Sequence, residues 1–258
     1  MERERIARYA LVGWFIVGLL IGVIMIFHIK PWTPELGVTF SPARQIYDMV
    51  WCLLVFPPTI IYYNYWFSKH PEWLAPRGKY VPGTKYSLVS PYSLISAVIF
   101  AALAVVAGTT TFAGLDLAMA VWGLACPLIG VFSTTLACGI AYVLRGLLGL
   151  LPFPLPCIFG HAFWEMSTFA FGSAFYYWLI ERTGKRNVLN WAIWVTALNV
   201  YHGFAALSAF FWAFAWDAYI PFFVYAWVGY RPGAVVATVI GLIVAEAIIR
   251  SIKTRAKR

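Results

Sequence analysis

The chain has 258 residues, of which 62% are hydrophobic and 11% are charged, and its formal net charge is +9. A soluble domain of this length does not need so much apolar side-chain surface, so the composition indicates a protein whose solvent is lipid. The positive charge does not indicate a nucleic-acid partner, because the basic residues lie at the ends of apolar runs and form no stripe interleaved with exposed aromatics. The expected counterpart of these charges is the anionic headgroups of a lipid bilayer.

Apolar runs long enough to cross a bilayer recur along the whole chain. At about 20 residues per span, the pattern predicts helices near residues 8–28, 46–67, 92–110, 115–127, 129–148, 160–181, 189–212 and 233–252. The expected fold class is therefore all-α, a polytopic integral membrane bundle of about eight transmembrane helices. Residues 217–228, after the seventh helix, are expected to form either a half-span or a cap on the outer surface.

The basic residues indicate the orientation of this bundle. All but four of the 19 Lys and Arg residues fall in polar stretches that the helix pattern brings to one side of the membrane. The four left for the other side are Lys30, Arg44, Arg145 and Arg231. By the positive-inside rule both termini are cytoplasmic and the number of spans is even. We expect a multi-pass protein of the cell (plasma) membrane.

A proline-rich stretch separates the second predicted helix from the third. It contains Pro71, Pro76, Pro82 and Pro91, too many prolines for a regular helix, and lies on the cytoplasmic side. The expected organisation is a two-helix amino-terminal block at 1–68, a basic cytoplasmic linker at 69–91 and a six-helix bundle at 92–258.

Small residues line one face of the first and last helices of this bundle. They are Ser93, Ala97, Ala101, Ala104 and Gly108 in the first helix, and Gly233, Ala237, Gly241 and Ala245 in the last. Such stripes let another helix approach closely. Two readings stay open: packing within the chain, or docking of a separate subunit on Ala97, Ala101 and Ala104.

The apolar sequence is interrupted between the fourth and fifth predicted helices. Pro127 lies in the segment Ala-Cys-Pro-Leu-Ile-Gly and removes one backbone donor. A break of this kind inside a membrane needs shelter from lipid, which a bundle interior or a cavity provides.

Ionisable residues at membrane depth lie on two consecutive helices. His161 and Glu165 are four residues apart on one helical face, and Asn199 and His202 share a face of the next helix. Because consecutive spans run antiparallel, we expect these groups to converge in the outer half of the bundle.

Aromatic residues accompany these groups, in particular Trp164, Trp191 and Trp194. A carboxylate, an amide and imidazoles beside aromatic rings suit a planar polar heterocycle, because the rings stack on it and the polar groups fix its orientation. A structural reading stays open, in which His161 and Glu165 satisfy each other and His202 caps a carbonyl across helices.

Two other carboxylates are expected to have structural roles. Asp116 opens a helix, where a carboxylate caps the positive end of the helix dipole. Glu246 lies deep in the last helix and is expected to pair with Arg250, four residues further along.

The sequence shows no sign of catalytic or metal chemistry. It has no GxxxxGK[ST] phosphate-binding loop and no nucleophile-base pair. The four cysteines, Cys52, Cys126, Cys138 and Cys157, have no CxxC spacing. We expect neither an enzyme nor a bound metal or cofactor.

Residues from about 90 to 258 contain an alanine-striped helix with Ala97 and Ala101, a short helix after a loop at 109–114, the turn at 126–130, a glycine-rich third helix and the basic turn at 181–186. In this layout they resemble the substrate-binding S component of energy-coupling factor (ECF) vitamin transporters. The two amino-terminal helices are an addition to the family's layout, and Cys126-Pro127 stands where a Gly-Pro pair is common.

This resemblance implies a membrane-embedded substrate-binding subunit for uptake of a vitamin or vitamin precursor. It also implies a transmembrane coupling subunit docked on the alanine stripe and two cytoplasmic ATPases as partners. Glu165, Asn199 and His202 would hold the ligand. The alternatives are a membrane redox or respiratory subunit with haem between His161 and His202, and a structural subunit of a larger membrane assembly.

Overall fold

The computed structural model describes residues 91–109, 111–112, 115–151, 155–213 and 225–255, together with Tyr9, Gly13 and Ile16. In chain order the α-helices are α1 Pro91–Gly108, α2 Leu117–Leu128, α3 Gly130–Leu147, α4 Leu155–Thr183, α5 Val188–Ala213 and α6 Arg231–Arg255. Between α1 and α2 lies an antiparallel pair of two-residue strands, β1 Thr111–Phe112 and β2 Leu115–Asp116, and a π-helical turn, Tyr225–Tyr230, leads into α6. The all-α prediction is confirmed for this part of the chain.

These six helices begin and end within a few residues of the predicted boundaries. Among the described residues, two helical stretches are long and apolar enough to cross a membrane, Gly130–Leu147 and Trp227–Ile252. They favour membrane association, while the eight spans and the multi-pass arrangement stay predictions. The helix expected at 8–28, apart from three residues, the helix expected at 46–67, nearly all of the 69–91 linker and most of 217–228 lie outside the described residues. The division into blocks also stays a prediction.

Successive helices run in opposite directions. Arg145, near the end of α3, donates to the Gly108 carbonyl at the end of α1 over 3.5 Å, so these two helices end on the same side. Helices α3 and α4 are antiparallel, because Gly139 lies beside Met166 and Gly146 beside Ile158. We call the side with Gly108, Arg145 and the start of α6 the Arg231 end, and the opposite side, with the α4–α5 turn, the Lys185 end.

Helices α2 and α6 pack with their backbones in contact. A Cβ built on Gly241 would lie 2.0 Å from the Ala120 carbonyl oxygen, and one on Gly123 would lie 2.4 Å from the Thr238 carbonyl oxygen. Ala237 and Ala245 on the same stripe are fully buried. The small residues of α6 therefore serve packing within the chain.

The alanine stripe of α1 is also covered by the chain itself. Ala97, Ala101 and Ala104 are at most 1% exposed, and α1 packs on α3 and α2. The prediction that a partner docks on these three alanines is therefore wrong for this conformation, because helices of the same chain occupy that face. The exposed side of α1 carries large apolar residues such as Val98 and Val106 instead.

The sharp turn between α2 and α3 is sheltered as predicted. A single residue, Ile129, separates the two helices, and Gly130 begins α3 with φ +83°, a value that favours glycine. Ile129 and Gly130 are buried. The Tyr177 hydroxyl of α4 donates to the Pro127 carbonyl over 2.8 Å and supplies the hydrogen bond that a regular helix would have provided.

Candidate functional site

A buried carboxylate and a buried imidazole meet between α4 and α5. Nε2 of His202 lies 2.8 Å from Oε1 of Glu165, and the two residues are 2% and 1% exposed. Two neighbouring residues on the same helices also pair, since the hydroxyls of Ser167 and Tyr201 are 2.8 Å apart. The antiparallel packing of consecutive helices therefore brings Glu165 and His202 together.

Arg231, the first residue of α6, completes this contact from the other side of the imidazole. Its Nη1 lies 2.7 Å from Nδ1 of His202, and the residue is 6% exposed. A guanidinium group can only donate hydrogen bonds, so Nδ1 must accept. The His202 proton is therefore on Nε2, which donates to Glu165, and the imidazole is neutral.

These three side chains form a charge-balanced network, here called the Glu165–His202–Arg231 network. The carboxylate and the guanidinium carry opposite charges, and the neutral imidazole hydrogen-bonds to both. Burial of an isolated charge is costly, and a hydrogen-bonded opposite charge offsets that cost. The Arg231 guanidinium also lies 5.2 Å from the Tyr230 ring and 5.8 Å from the Trp227 ring, where each ring face attracts the cation.

A second carboxylate lies at the same end of the bundle. Asp116 accepts a hydrogen bond from the Ala118 amide over 2.9 Å at the start of α2, which confirms its predicted capping role. The Tyr230 hydroxyl donates to the other oxygen of this carboxylate. Because Tyr230 immediately precedes Arg231, the Asp116 contact helps to hold the start of α6 beside α2.

Aromatic rings continue the network toward the bundle interior. The Phe169 ring is 5.7 Å from the His202 ring and 4.9 Å from the Trp122 ring. Trp122 and Phe169 are both buried. His202 is thus flanked by aromatic surface as well as by charged groups.

The other predicted site residues have different positions. Asn199, one turn from His202, donates to the Val195 carbonyl over 2.9 Å and to the Thr238 hydroxyl over 3.3 Å. Trp164 is half-buried and directly precedes Glu165 on α4. The backbone of His161 is in α4, but its side chain lies outside the described part of the structure, so its predicted role stays a prediction.

Trp191 and Trp194 do not line the network. Trp194 donates to the Gly172 carbonyl over 2.7 Å, and Trp191 lies under the Arg250 guanidinium at 5.6 Å. Trp194 is eight residues from His202 along α5, a rise of about 12 Å, and Trp191 is further still. Their assignment to the same binding site as Glu165 is therefore corrected, because both lie toward the Lys185 end.

Glu246 has a different partner from the predicted one. Arg186, in the turn between α4 and α5, lies 3.4 Å from its carboxylate, and the Tyr176 hydroxyl donates to it as well. Arg250 packs over Trp191 instead. The predicted pairing of Glu246 with Arg250 is therefore wrong, because Arg186 from another part of the chain reaches the buried carboxylate.

Sequence reasoning did not assign Arg231 to the site. It was counted only among the few basic residues away from the cytoplasmic side. The available signal was its isolation, because a lone arginine at the start of an apolar helix, beside Trp227 and Tyr230, needs a counter-charge if it is buried.

The geometry also bears on metal binding. Both ring nitrogens of His202 already have protein partners, so neither offers a lone pair to haem iron in this conformation. Within the described ranges no group of three or more His, Cys, Asp or Glu residues could hold a metal ion.

Comparisons with family models, curated proteins and solved structures find no match for this chain.

Proposed function

We propose that the chain is a membrane-embedded substrate-binding subunit for uptake of a vitamin or vitamin precursor, powered by partner ATPases. The observation that carries the proposal is the Glu165–His202–Arg231 network, which is buried in the helical bundle at the Arg231 end. Under the positive-inside orientation this end faces the outside, where a substrate for uptake arrives.

Energetics favour a functional reading of this network over a purely structural one. Well-packed apolar residues would stabilise a helical interface as well as a buried ion pair, or better. Intramembrane charged residues that face a bundle interior typically mark substrate or ion pathways. A buried glutamate, histidine and arginine in contact are therefore expected where selection acts on binding.

The proposed partners follow from the same function. A transmembrane coupling subunit and two cytoplasmic ATPases would supply the energy, since this chain has no phosphate-binding loop of its own. The coupling subunit would dock on a surface other than Ala97, Ala101 and Ala104, because those residues are buried within the chain.

Equilibrium binding tests the proposal. The full chain, purified into lipid nanodiscs, would be titrated with a panel of radiolabelled water-soluble vitamins and precursors, with an excess of unlabelled compound as the control for non-specific uptake. We expect one compound to bind saturably at one site per chain. Failure of every compound to saturate would refute the proposed function.

A further inference from the structure

Three residues near the Glu165–His202–Arg231 network each have a buried polar atom without a hydrogen-bond partner. These atoms are the indole Nε1 of Trp122, Nε of Arg231 and Oδ1 of Asn199. The three residues are 1%, 6% and 2% exposed. Since buried polar atoms in proteins are almost always paired, each of these three calls for an explanation.

The three atoms belong to residues arranged around the same imidazole. Arg231 hydrogen-bonds to His202, and Asn199 is one helical turn from His202 on α5. Trp122 reaches it through Phe169, whose ring contacts both. Two unpaired donors and one unpaired acceptor therefore belong to residues of α2, α5 and α6 that contact His202 directly, lie one turn from it or reach it through Phe169.

We propose that these atoms recognise a neutral planar heterocycle that presents two hydrogen-bond acceptors and one donor. The acceptors would take the Trp122 and Arg231 N–H groups, and the donor would bind the Asn199 carbonyl oxygen. The surrounding rings of Phe169 and Trp122 suit a flat ligand. This inference rests on the proposed function and specifies the chemical class of its ligand.

The balance of charged side chains at the Arg231 end favours a neutral ligand. The described charged side chains near the Arg231 end are Asp116, Glu165, Arg145 and Arg231, two of each sign. A carboxylate or a cation on the ligand would remain without a counter-charge in a medium of low dielectric constant, where an uncompensated charge is expensive. A heterocycle with carbonyl or imine acceptors satisfies the same donors without upsetting this balance.

A matched pair of substitutions tests the inference. Trp122→Phe removes an N–H that has no partner, whereas Trp194→Phe removes one that donates to the Gly172 carbonyl. Both residues are fully buried, so the loss of ring volume is similar. The probes would be riboflavin, pyridoxine and nicotinamide as neutral heterocycles, with pantothenate as an anion and thiamine as a cation, measured on the full chain in nanodiscs.

We expect a neutral heterocycle to bind and its dissociation constant to rise about tenfold in Trp122→Phe. Trp194→Phe should leave that constant unchanged and should lower the ligand-free unfolding midpoint more than Trp122→Phe does, because it removes a buried hydrogen bond. If Trp122→Phe fails to fold, Arg231→Lys keeps the charge, removes the Nε donor and should weaken binding similarly.

The outcomes separate this inference from the proposed function. If pantothenate or thiamine is the probe that binds, or if binding is indifferent to Trp122→Phe and Arg231→Lys, the inference fails and the uptake function stands. If none of these five probes saturates, the inference fails, and the wider panel of vitamins and precursors decides the uptake function separately.

Discussion

Nη1 of Arg231 lies 2.7 Å from Nδ1 of His202, and this contact determines which nitrogen of the imidazole carries the proton. With Nδ1 accepting, Nε2 must donate to Glu165, 2.8 Å away. A positive and a negative side chain on α6 and α4 are thereby connected through a neutral residue on α5.

The charges of Glu165 and Arg231 should be energetically coupled through His202. Glu165→Gln or Arg231→Gln alone leaves one buried charge uncompensated and should lower the free energy of unfolding by about 3 kcal/mol. The double variant removes both charges, so its loss should be at least about 1 kcal/mol smaller than the sum of the two single losses. Unfolding of the four proteins in one detergent measures the coupling, and simple additivity would contradict the network.

Glu246 should depend on Arg186 and not on Arg250. Arg186→Met leaves a buried carboxylate without its cation and should cost about 2 kcal/mol, between the values for exposed and fully buried pairs. Arg250→Met removes only a contact with the Trp191 ring and should cost no more than about 1 kcal/mol. Thermal unfolding of both variants checks this, and a larger loss in Arg250→Met would restore the i, i+4 pair.

The α2–α6 contact should not tolerate a methyl group at Gly241. The added Cβ would meet a backbone carbonyl that cannot move aside, and Gly241→Ala should destabilise the protein by about 2 kcal/mol or more. Gly172→Ala is the matched control, because its Cβ would meet the tip of the Leu198 side chain, which can rotate. The control should stay within about 1 kcal/mol of the wild type, since alanine also favours the helix. Equal losses in the two variants would argue against backbone contact.

The two ends of the bundle should lie on opposite sides of the membrane. In a background with the four cysteines replaced by alanine, Leu148→Cys at the Arg231 end should react with an impermeant maleimide in intact cells. Lys185→Cys should react only after permeabilisation, because the positive-inside rule puts the basic turn in the cytoplasm. Labelling of Lys185→Cys alone in intact cells would reverse the proposed orientation, and labelling of both positions would contradict the placement of the two ends on opposite sides.

Sequence patterns predicted the local features and missed contacts between distant parts of the chain. The apolar runs gave the six helices, and the antiparallel order of consecutive spans predicted that Glu165 and His202 converge. The capping role of Asp116 could be predicted because capping depends on residues that are adjacent in the sequence.

Most of the wrong predictions have one physical cause, which is contact between distant parts of the chain. Glu246 pairs with Arg186, and His202 pairs with Arg231. In each pair the two residues are far apart along the chain and meet only because the helices pack together. From the sequence, the face of α1 that carries Ala97 could pack against a partner or against the chain itself. The structure distinguishes the two, because α2 and α3 cover this face. Trp194 was grouped with His202 by shared helix, although an eight-residue separation takes it well beyond contact.

The central claim is that ligand binding depends on the Glu165–His202–Arg231 network, and two matched glutamate variants test it most directly. Glu165→Gln and Glu246→Gln each remove one buried carboxylate charge from the bundle, the first at the Arg231 end and the second at the Lys185 end. For the vitamin or precursor that the wild-type chain binds in nanodiscs, Glu165→Gln should weaken affinity at least about tenfold, while Glu246→Gln keeps it. Wild-type affinity in Glu165→Gln, or an equal loss in both variants, would contradict the account.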